Sequence, residues 1–183
     1  MSEIANLTAP SAWVRRFAPL IPAGGDVLDL ACGPGRHTRL LLELGYTVEA
    51  VDRDAAALAT LRGLPGVTTR EADIEGGPWP YHSRAFDGIV VANYLWRPLL
   101  PSLLNALAEE GVLIYETFMT GNELLGRPSN PQFLLRPGEL LDMVMRKRFT
   151  VLAFEQGEVA SPRPAMIQRI CARRGRPAKL PPA

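Results

Sequence analysis

The sequence predicts an α/β protein of three layers, with a mostly parallel sheet held between helices. Three observations carry this. Residues 27–30 are a short apolar run suited to a central strand covered on both faces, and they lead through Gly33-Pro34-Gly35 straight into a helical pattern. Further apolar runs at 46–52, 67–70, 86–91 and 112–118 alternate with helical stripes at 55–61 and 99–107. Last, two strand-like segments, 149–159 and 165–172, are joined by a short Ser161-Pro162-Arg163-Pro164 link that favours antiparallel pairing. A chain of 183 residues with 47% hydrophobic content is large enough for one such domain, expected over 1–173, followed by a basic, Pro-rich tail at 174–183.

Taken in order, residues 11–20 place Trp13, Val14, Phe17 and Leu20 on one helical stripe, closed by Pro19 and Pro22. The segment 1–22 is expected to be an N-terminal helix or lid, packed over the crevice or the sheet edge. The helix at 36–44 carries Leu40, Leu41 and Leu44 and stops at Gly45. The strand at 46–52 ends in Asp52, and Asp54 is available to cap the helix at 55–61, which Gly63 and Pro65 end. After the strand at 67–70 comes Ala72-Asp73-Ile74, then a loop at 75–84. The continuous apolar run at 86–91 delivers Asn93, Tyr94, Leu95 and Trp96 to the carboxyl edge of the sheet. Leu95 and Trp96 equally suit a covering role over the next helix. Glu109-Glu110-Gly111 reads as the turn before the strand at 112–118, whose end holds Glu116. A helix is expected at 137–145, with Pro137 in its first turn.

A strand, a bare-backbone turn and a helix N-terminus make a nucleotide-type binding crevice. Gly33 and Gly35 permit the sharp turn and close ligand approach. An acid at the end of the second strand, here Asp52, sits beside a ligand's ribose, where it accepts from the hydroxyls. A dinucleotide fingerprint requires a third Gly or Ala about three residues after the second glycine, and that position is Thr38.

The run 27–36 resembles the first motif of the class I S-adenosylmethionine-dependent methyltransferases, an acid followed by a glycine-rich turn, with Ala31 in place of the usual first glycine. Residues 115–141, including Gly126 to Asn130 and Phe133 to Leu140, resemble small bacterial methyltransferases often labelled tellurite-resistance-like. The resemblance spans nearly the whole chain. It implies a Rossmann-like methyltransferase fold of seven strands in the order 3-2-1-4-5-7-6, the last antiparallel. It implies S-adenosylmethionine as cofactor and methyl transfer to a small-molecule acceptor. Asp29 would order the glycine turn and reach toward the methionine end. Ala31, Cys32, Gly33 and Gly35 would form the turn, with Asp52 and its neighbour Arg53 at the ribose. Asp73 would receive the adenine amino group, with Ile74 against the ring; Asn93 is also counted on the cofactor side, and Asn93, Tyr94 and Trp96 at that edge are candidates for holding the methyl acceptor. No catalytic residue follows from the motifs; Asn93, Tyr94, Glu116 and Arg127 are candidates on the acceptor side. Glu116 suits a general base, a partner for a cation or a structural acid equally well. The long loop at 119–136 is expected to act as a lid, with Arg127 and Asn130 facing inward; the competing role for Arg127 is pairing with Glu116 or Glu123.

A net charge of +1 counts against nucleic acid and anionic membrane as partners. No apolar run is long enough to span a bilayer, and the first residues lack a secretory pattern, so a cytoplasmic monomer or homodimer is expected. Cys32 and Cys171 form no metal-spaced set and are expected as thiols; Cys32, in the glycine turn, reads as a small buried residue. RNA or protein methylation guided by the basic tail, or cofactor binding without catalysis, are the alternative functions.

Overall fold

The computed structural model, described over residues 9–147 and 149–175, is built on a seven-stranded sheet in the order β3-β2-β1-β4-β5-β7-β6. Its strands are β1 (Asp26–Leu30), β2 (Thr47–Asp52), β3 (Val67–Glu71), β4 (Phe86–Ala92), β5 (Leu107–Phe118), β6 (Phe149–Val159) and β7 (Ala165–Arg174). The helices are α1 (Ala12–Phe17), α2 (Arg36–Glu43), α3 (Ala55–Ala59), α4 (Leu100–Asn105) and α5 (Glu139–Met145). Strands β1 to β5 pair in parallel, and β7 runs antiparallel to both β5 and β6. The order and the reversed last strand agree with the sequence expectation.

Alternation along the central strands fills two separate layers. Leu28, Leu30, Ile89, Val91, Leu113 and Tyr115 pack into one core with residues of α4 and α5. Val27, Val48, Val90, Val112 and Ile114 point the other way, against Trp13, Phe17, Leu40 and Leu41 from α1 and α2. Helix α1 therefore lies on a face of the sheet, not over its edge. Trp13 belongs to the core, its indole N–H donating to the Ile170 carbonyl at 3.3 Å. Among the described residues, the approach to α1 and its first residue, 9–12, reach the carboxyl edge.

Two boundaries differ from the sequence expectation. Helix α4 stops at Asn105, and β5 begins at Leu107, so Glu109-Glu110-Gly111 lies inside a strand. The Phe86 N–H bonds the Ala106 carbonyl at 2.8 Å, and the register then jumps from Phe86–Leu107 to Gly88–Val112. The extra residues form a polar, exposed bulge with Glu110 at φ +65°, and a bulge carries the same residue types as a turn. At the other end, β7 continues through Arg174, where the Arg173 and Arg174 side chains bond Glu110 and the Leu107 carbonyl. The remainder of the expected tail, 176–183, lies outside the described residues, as do 1–8. No helix among the described residues is long and apolar enough to cross a membrane, and no group of three potential metal ligands is present among them.

Candidate functional site

The glycine turn at the end of β1 is fastened from two sides. The Cys32 N–H donates to the Val51 carbonyl at 3.1 Å, and the Gly33 N–H donates to Asp52 Oδ2 at 2.7 Å. Asp52 Oδ1 accepts from the Asp54 N–H at 2.9 Å, while Asp54 caps α3 through the Ala56 and Ala57 amides as expected. Ala31, Gly33 and Gly35 all sit at positive φ, +53°, +53° and +81°. For Gly35 the demand is packing as well as φ, since a Cβ there would collide with the Leu61 side chain. Gly33 faces open space. Ala31 holds a left-handed conformation that costs an L-residue roughly 1–2 kcal/mol. Ala31→Gly is expected to raise stability by about 1 kcal/mol, once the greater freedom of glycine in the unfolded chain is subtracted. Thermal denaturation checks this; a lower melting temperature would show that no strain resides at Ala31.

Beneath the turn, Asp29 is buried and accepts from the Thr38 hydroxyl at 2.6 Å. Thr38 thus does something a third glycine cannot: it ties α2 to the strand. Burial pushes the Asp29 carboxyl up to about 6, with the Thr38 bonds and Arg36 pulling it partly back. Asp29 holds Thr38 of α2, while the amides of the turn are held by Asp52 and the Val51 carbonyl, and Asp29 is 1% exposed. Burial also raises the Cys32 thiol far above the reactive range. His37 is buried, its Nε2 accepting the Ser11 N–H at 3.1 Å, and burial followed by Arg36 depresses it to about 3. The neutral imidazole therefore fastens the segment before α1 beside the glycine turn.

Three clefts run along the carboxyl edge of the sheet. The first, about 200 Å³, brings together Ala31, Asp52, Arg53, Asp73 and Ile74, with Tyr94 at its end. Half of the cofactor-side candidates meet here; Cys32 and Gly35 are buried behind them. Asp73 Oδ1 accepts from the Glu75 and Gly76 amides at 3.0 and 3.1 Å, and these bonds hold its carboxyl below the usual range. The Tyr94 hydroxyl oxygen is buried and has no well-formed hydrogen bond among the described residues, and burial, followed by the nearby Glu75 carboxylate, raises it. The second cleft, about 340 Å³, lies between Arg53, Asn93, Tyr94, Phe118, Pro128 and Phe133. The third, about 280 Å³, lies between residues 9–12, Arg36, Asn93, Glu116 and the β6–β7 hairpin. Asn93, at φ +57° and with its N–H on the Glu116 carbonyl at 2.9 Å, borders the second and third; Tyr94 borders the first and second.

The acceptor-side expectations are corrected at two residues. Arg127 is exposed, lines none of these three clefts and pairs with neither Glu116 nor Glu123; its carbonyl accepts from Arg163 at 3.0 Å. Asn130 is exposed too, its side chain accepting the Gln132 N–H. Glu116 instead pairs with Arg169 at 3.3 Å, and Glu123 accepts the Gly121 N–H. The loop at 119–136 is built into the domain, with Asn122 and Leu135 buried. Arg97 pins it, bonding Glu139 through two nitrogens at 2.7 and 2.9 Å and the Gln132 and Leu134 carbonyls at 2.8 and 2.7 Å. Sequence reasoning missed Thr38, His37, Arg97, Arg163 and Arg169. Of these only Thr38 carried a local signal, its place in the turn motif.

Residues 27–110 match a family described as a methyltransferase domain. Trans-aconitate 2-methyltransferase from Delftia acidovorans is 36% identical over 116 residues, 58% of this chain and 42% of that protein. The enzyme of the same name from Rhizobium etli is 36% identical over 110 residues, 56% and 41% of the two chains. The chain spans less than half the length of these curated relatives. Among solved structures, TehB from Haemophilus influenzae superposes with a TM-score of 0.76 at 22% identity, over 95% of this chain and 65% of that one. The 1,6-didemethyltoxoflavin-N1-methyltransferase of Burkholderia thailandensis, solved with S-adenosylhomocysteine, gives 0.68 at 19% identity, over 94% and 80%. The fold is that of S-adenosylmethionine-dependent methyltransferases.

Proposed function

We propose that this chain, with its methyltransferase domain at 27–110, transfers a methyl group from S-adenosylmethionine to a small molecule. One observation carries the reading furthest: Asp52, Arg53, Asp73 and Ile74 converge in a single cleft that continues past Tyr94 and Asn93. Asp52 offers a carboxylate to ribose hydroxyls, and Ile74 an apolar wall to a purine. The Tyr94 hydroxyl oxygen is buried next to Glu75 and has no well-formed hydrogen bond among the described residues, so it supplies a donor that a ligand can take up. These residues fit the cofactor. When bound, it supplies an electrophilic methyl on a sulfonium. The protein's part is then to align the acceptor and keep water out, so proximity carries much of the rate. Asn93 and Tyr94, at the seams between the clefts, are the groups proposed to position the reacting atoms.

Calorimetry tests the cofactor half: S-adenosylmethionine or its demethylated product is expected to bind, and NAD and NADP are not. Tighter binding of a dinucleotide overturns the reading. Incubation with methyl-labelled cofactor and separate metabolite, RNA and protein pools tests the other half, with label expected in the metabolites.

A further inference from the structure

We propose that the acceptor is an uncharged aromatic hydroxyl compound, seated in the second cleft against Phe118 and Phe133, and that the Glu75 carboxylate takes its proton. This rests on the methyl-transfer reading above and names a substrate class and a proton acceptor for it. The first cleft, which fits the cofactor, shares Arg53, Glu75 and Tyr94 with the second; among the described residues it shares none with the third. An acceptor that must lie against the cofactor therefore belongs in the second. Arg53 and Glu75 are the charged residues of that lining, one of each sign, and the balance favours a neutral molecule.

Three of the nine residues lining it are aromatic, Tyr94, Phe118 and Phe133, which suits a flat ring more than an aliphatic chain. Phe133 is 42% exposed, yet the fold fixes the backbone that carries it. The residues on either side, Gln132 and Leu134, give their carbonyls to Arg97 at 2.8 and 2.7 Å. The Phe133 N–H donates to the Asn130 carbonyl at 2.9 Å, and Leu134 is buried. Asn122 likewise holds the Pro128 carbonyl, on the same wall, at 2.9 Å. Among the described residues Phe133 contacts no other aromatic ring. A large apolar side chain kept in water on a fixed backbone is pre-organised for a ligand, because little freedom remains to be lost when a ring covers it.

The polar pair at the seam between the clefts selects oxygen over nitrogen. Glu75 can accept, and the Tyr94 hydroxyl, which has no well-formed hydrogen bond among the described residues, can donate. A hydroxyl can give its proton to Glu75, accept from Tyr94 and still point a lone pair at the methyl. An aromatic amine has one lone pair, so accepting from Tyr94 leaves none to attack. In the transfer, the hydroxyl oxygen forms a bond to the methyl carbon while the carbon–sulfur pair returns to sulfur. The O–H proton becomes strongly acidic as that bond forms, so a carboxylate is base enough to remove it. Glu75 is exposed and passes the proton to solvent. The products are an aryl methyl ether, S-adenosylhomocysteine and a proton.

The test uses methyl-labelled S-adenosylmethionine and a small-metabolite extract split by ion exchange, at mildly acidic pH, into neutral, acidic and basic fractions. Label is expected in the neutral fraction, on a product that absorbs as an aromatic ring and keeps its label in mild alkali. With that fraction as acceptor, Glu75→Gln is expected to lower maximal turnover roughly a hundredfold, the lower end of a general base's contribution, with the half-saturating acceptor level unchanged. Phe133→Leu keeps the apolar bulk. It is expected to raise that level roughly three- to tenfold, the loss of an aromatic pair, and Phe133→Tyr is expected to restore it. Affinity for S-adenosylhomocysteine, by calorimetry, is expected to be unchanged in all three variants. Label in a charged fraction, label released by alkali, a product without ring absorption or no label in any fraction each overturns the proposal. Full turnover by Glu75→Gln, or an unmoved half-saturating level in Phe133→Leu, does the same. Weakened S-adenosylhomocysteine binding in Glu75→Gln also overturns it, because Glu75 would then serve the cofactor. A wild-type chain that binds no S-adenosylhomocysteine instead defeats the methyl-transfer reading on which the proposal stands.

Discussion

Asp52→Ala is expected to weaken S-adenosylmethionine binding roughly ten- to hundredfold, from the roughly 1.5–3 kcal/mol carried by a hydrogen bond to a charged group. The carboxylate lies at the end of β2 and lines the first cleft. The variant is also expected to melt several degrees lower. Asp52 accepts from the Gly33 amide at 2.7 Å and the Asp54 amide at 2.9 Å, so alanine leaves the glycine turn unlatched. Both are bonds to a carboxylate at the crevice mouth, at the low end of roughly 1.5–3 kcal/mol each, and a domain of this size loses roughly 2–4 °C per kcal/mol. Asp52→Asn separates the two roles. Its one oxygen can serve either amide but not both, and it offers no charge to a ribose, so both readouts should fall by an intermediate amount. An Asp52→Ala chain with unaltered affinity and a lowered melting temperature would make Asp52 a latch alone.

That double duty marks the limit of what the sequence discloses. Position, at the end of the second strand, is enough to place Asp52 at the mouth of the crevice. It is not enough to show that the same carboxylate is spent on Gly33, because that bond depends on where the turn's amide points. Ala31 is a related case. Its substitution for glycine is visible in the motif, but the cost only becomes concrete at φ +53°. Thr38 looked like a missing glycine and is in fact a positive feature, the donor to Asp29.

The sheet was legible because its signals are local. Apolar runs, glycine turns and the short link between the last two strands each lie within a dozen residues. The resemblance then supplied the strand order. The acceptor side was not legible for the opposite reason. Glu116 and Arg169 are partners because β5 and β7 pair antiparallel in a register that sets those two residues side by side. Nothing within either strand marks the other. Arg127 attracted attention as a cation in a long loop, yet the residue that pins the loop is Arg97, whose carboxylate partner Glu139 is distant in sequence. A loop rich in glycine and proline reads as a moving lid; buried Leu135 and Asn122 make it part of the wall.

Asp29→Asn is expected to change the shape of the stability curve with pH. Wild-type Asp29 is buried with a carboxyl pushed up to about 6 from 3.8, burial being the dominant cause. Between those two values the native chain holds this proton more tightly than the unfolded chain does. The contribution is therefore fully present below about pH 4 and lost as pH rises through 6, a change of about 3 kcal/mol at 1.4 kcal/mol per pH unit. Asparagine has no proton to lose. Its oxygen still accepts from the Thr38 hydroxyl, while its amide N–H groups go unpaired at a cost of about 1–3 kcal/mol. The variant should consequently be less stable than wild type at pH 4, and should recover about 3 kcal/mol relative to it by pH 7, where the wild type has come to carry a buried charge. Urea denaturation at intervals across that range measures the difference. The same buried charge bears on the proposed complex, in which the ammonium and sulfonium of S-adenosylmethionine would lie near the turn above it. Cofactor affinity should rise with pH through 6 in the wild type and stay flatter in the variant. Stability curves that run parallel from pH 4 to pH 7 would mean that Asp29 does not titrate there, and the electrostatic part of its role would fall with that result.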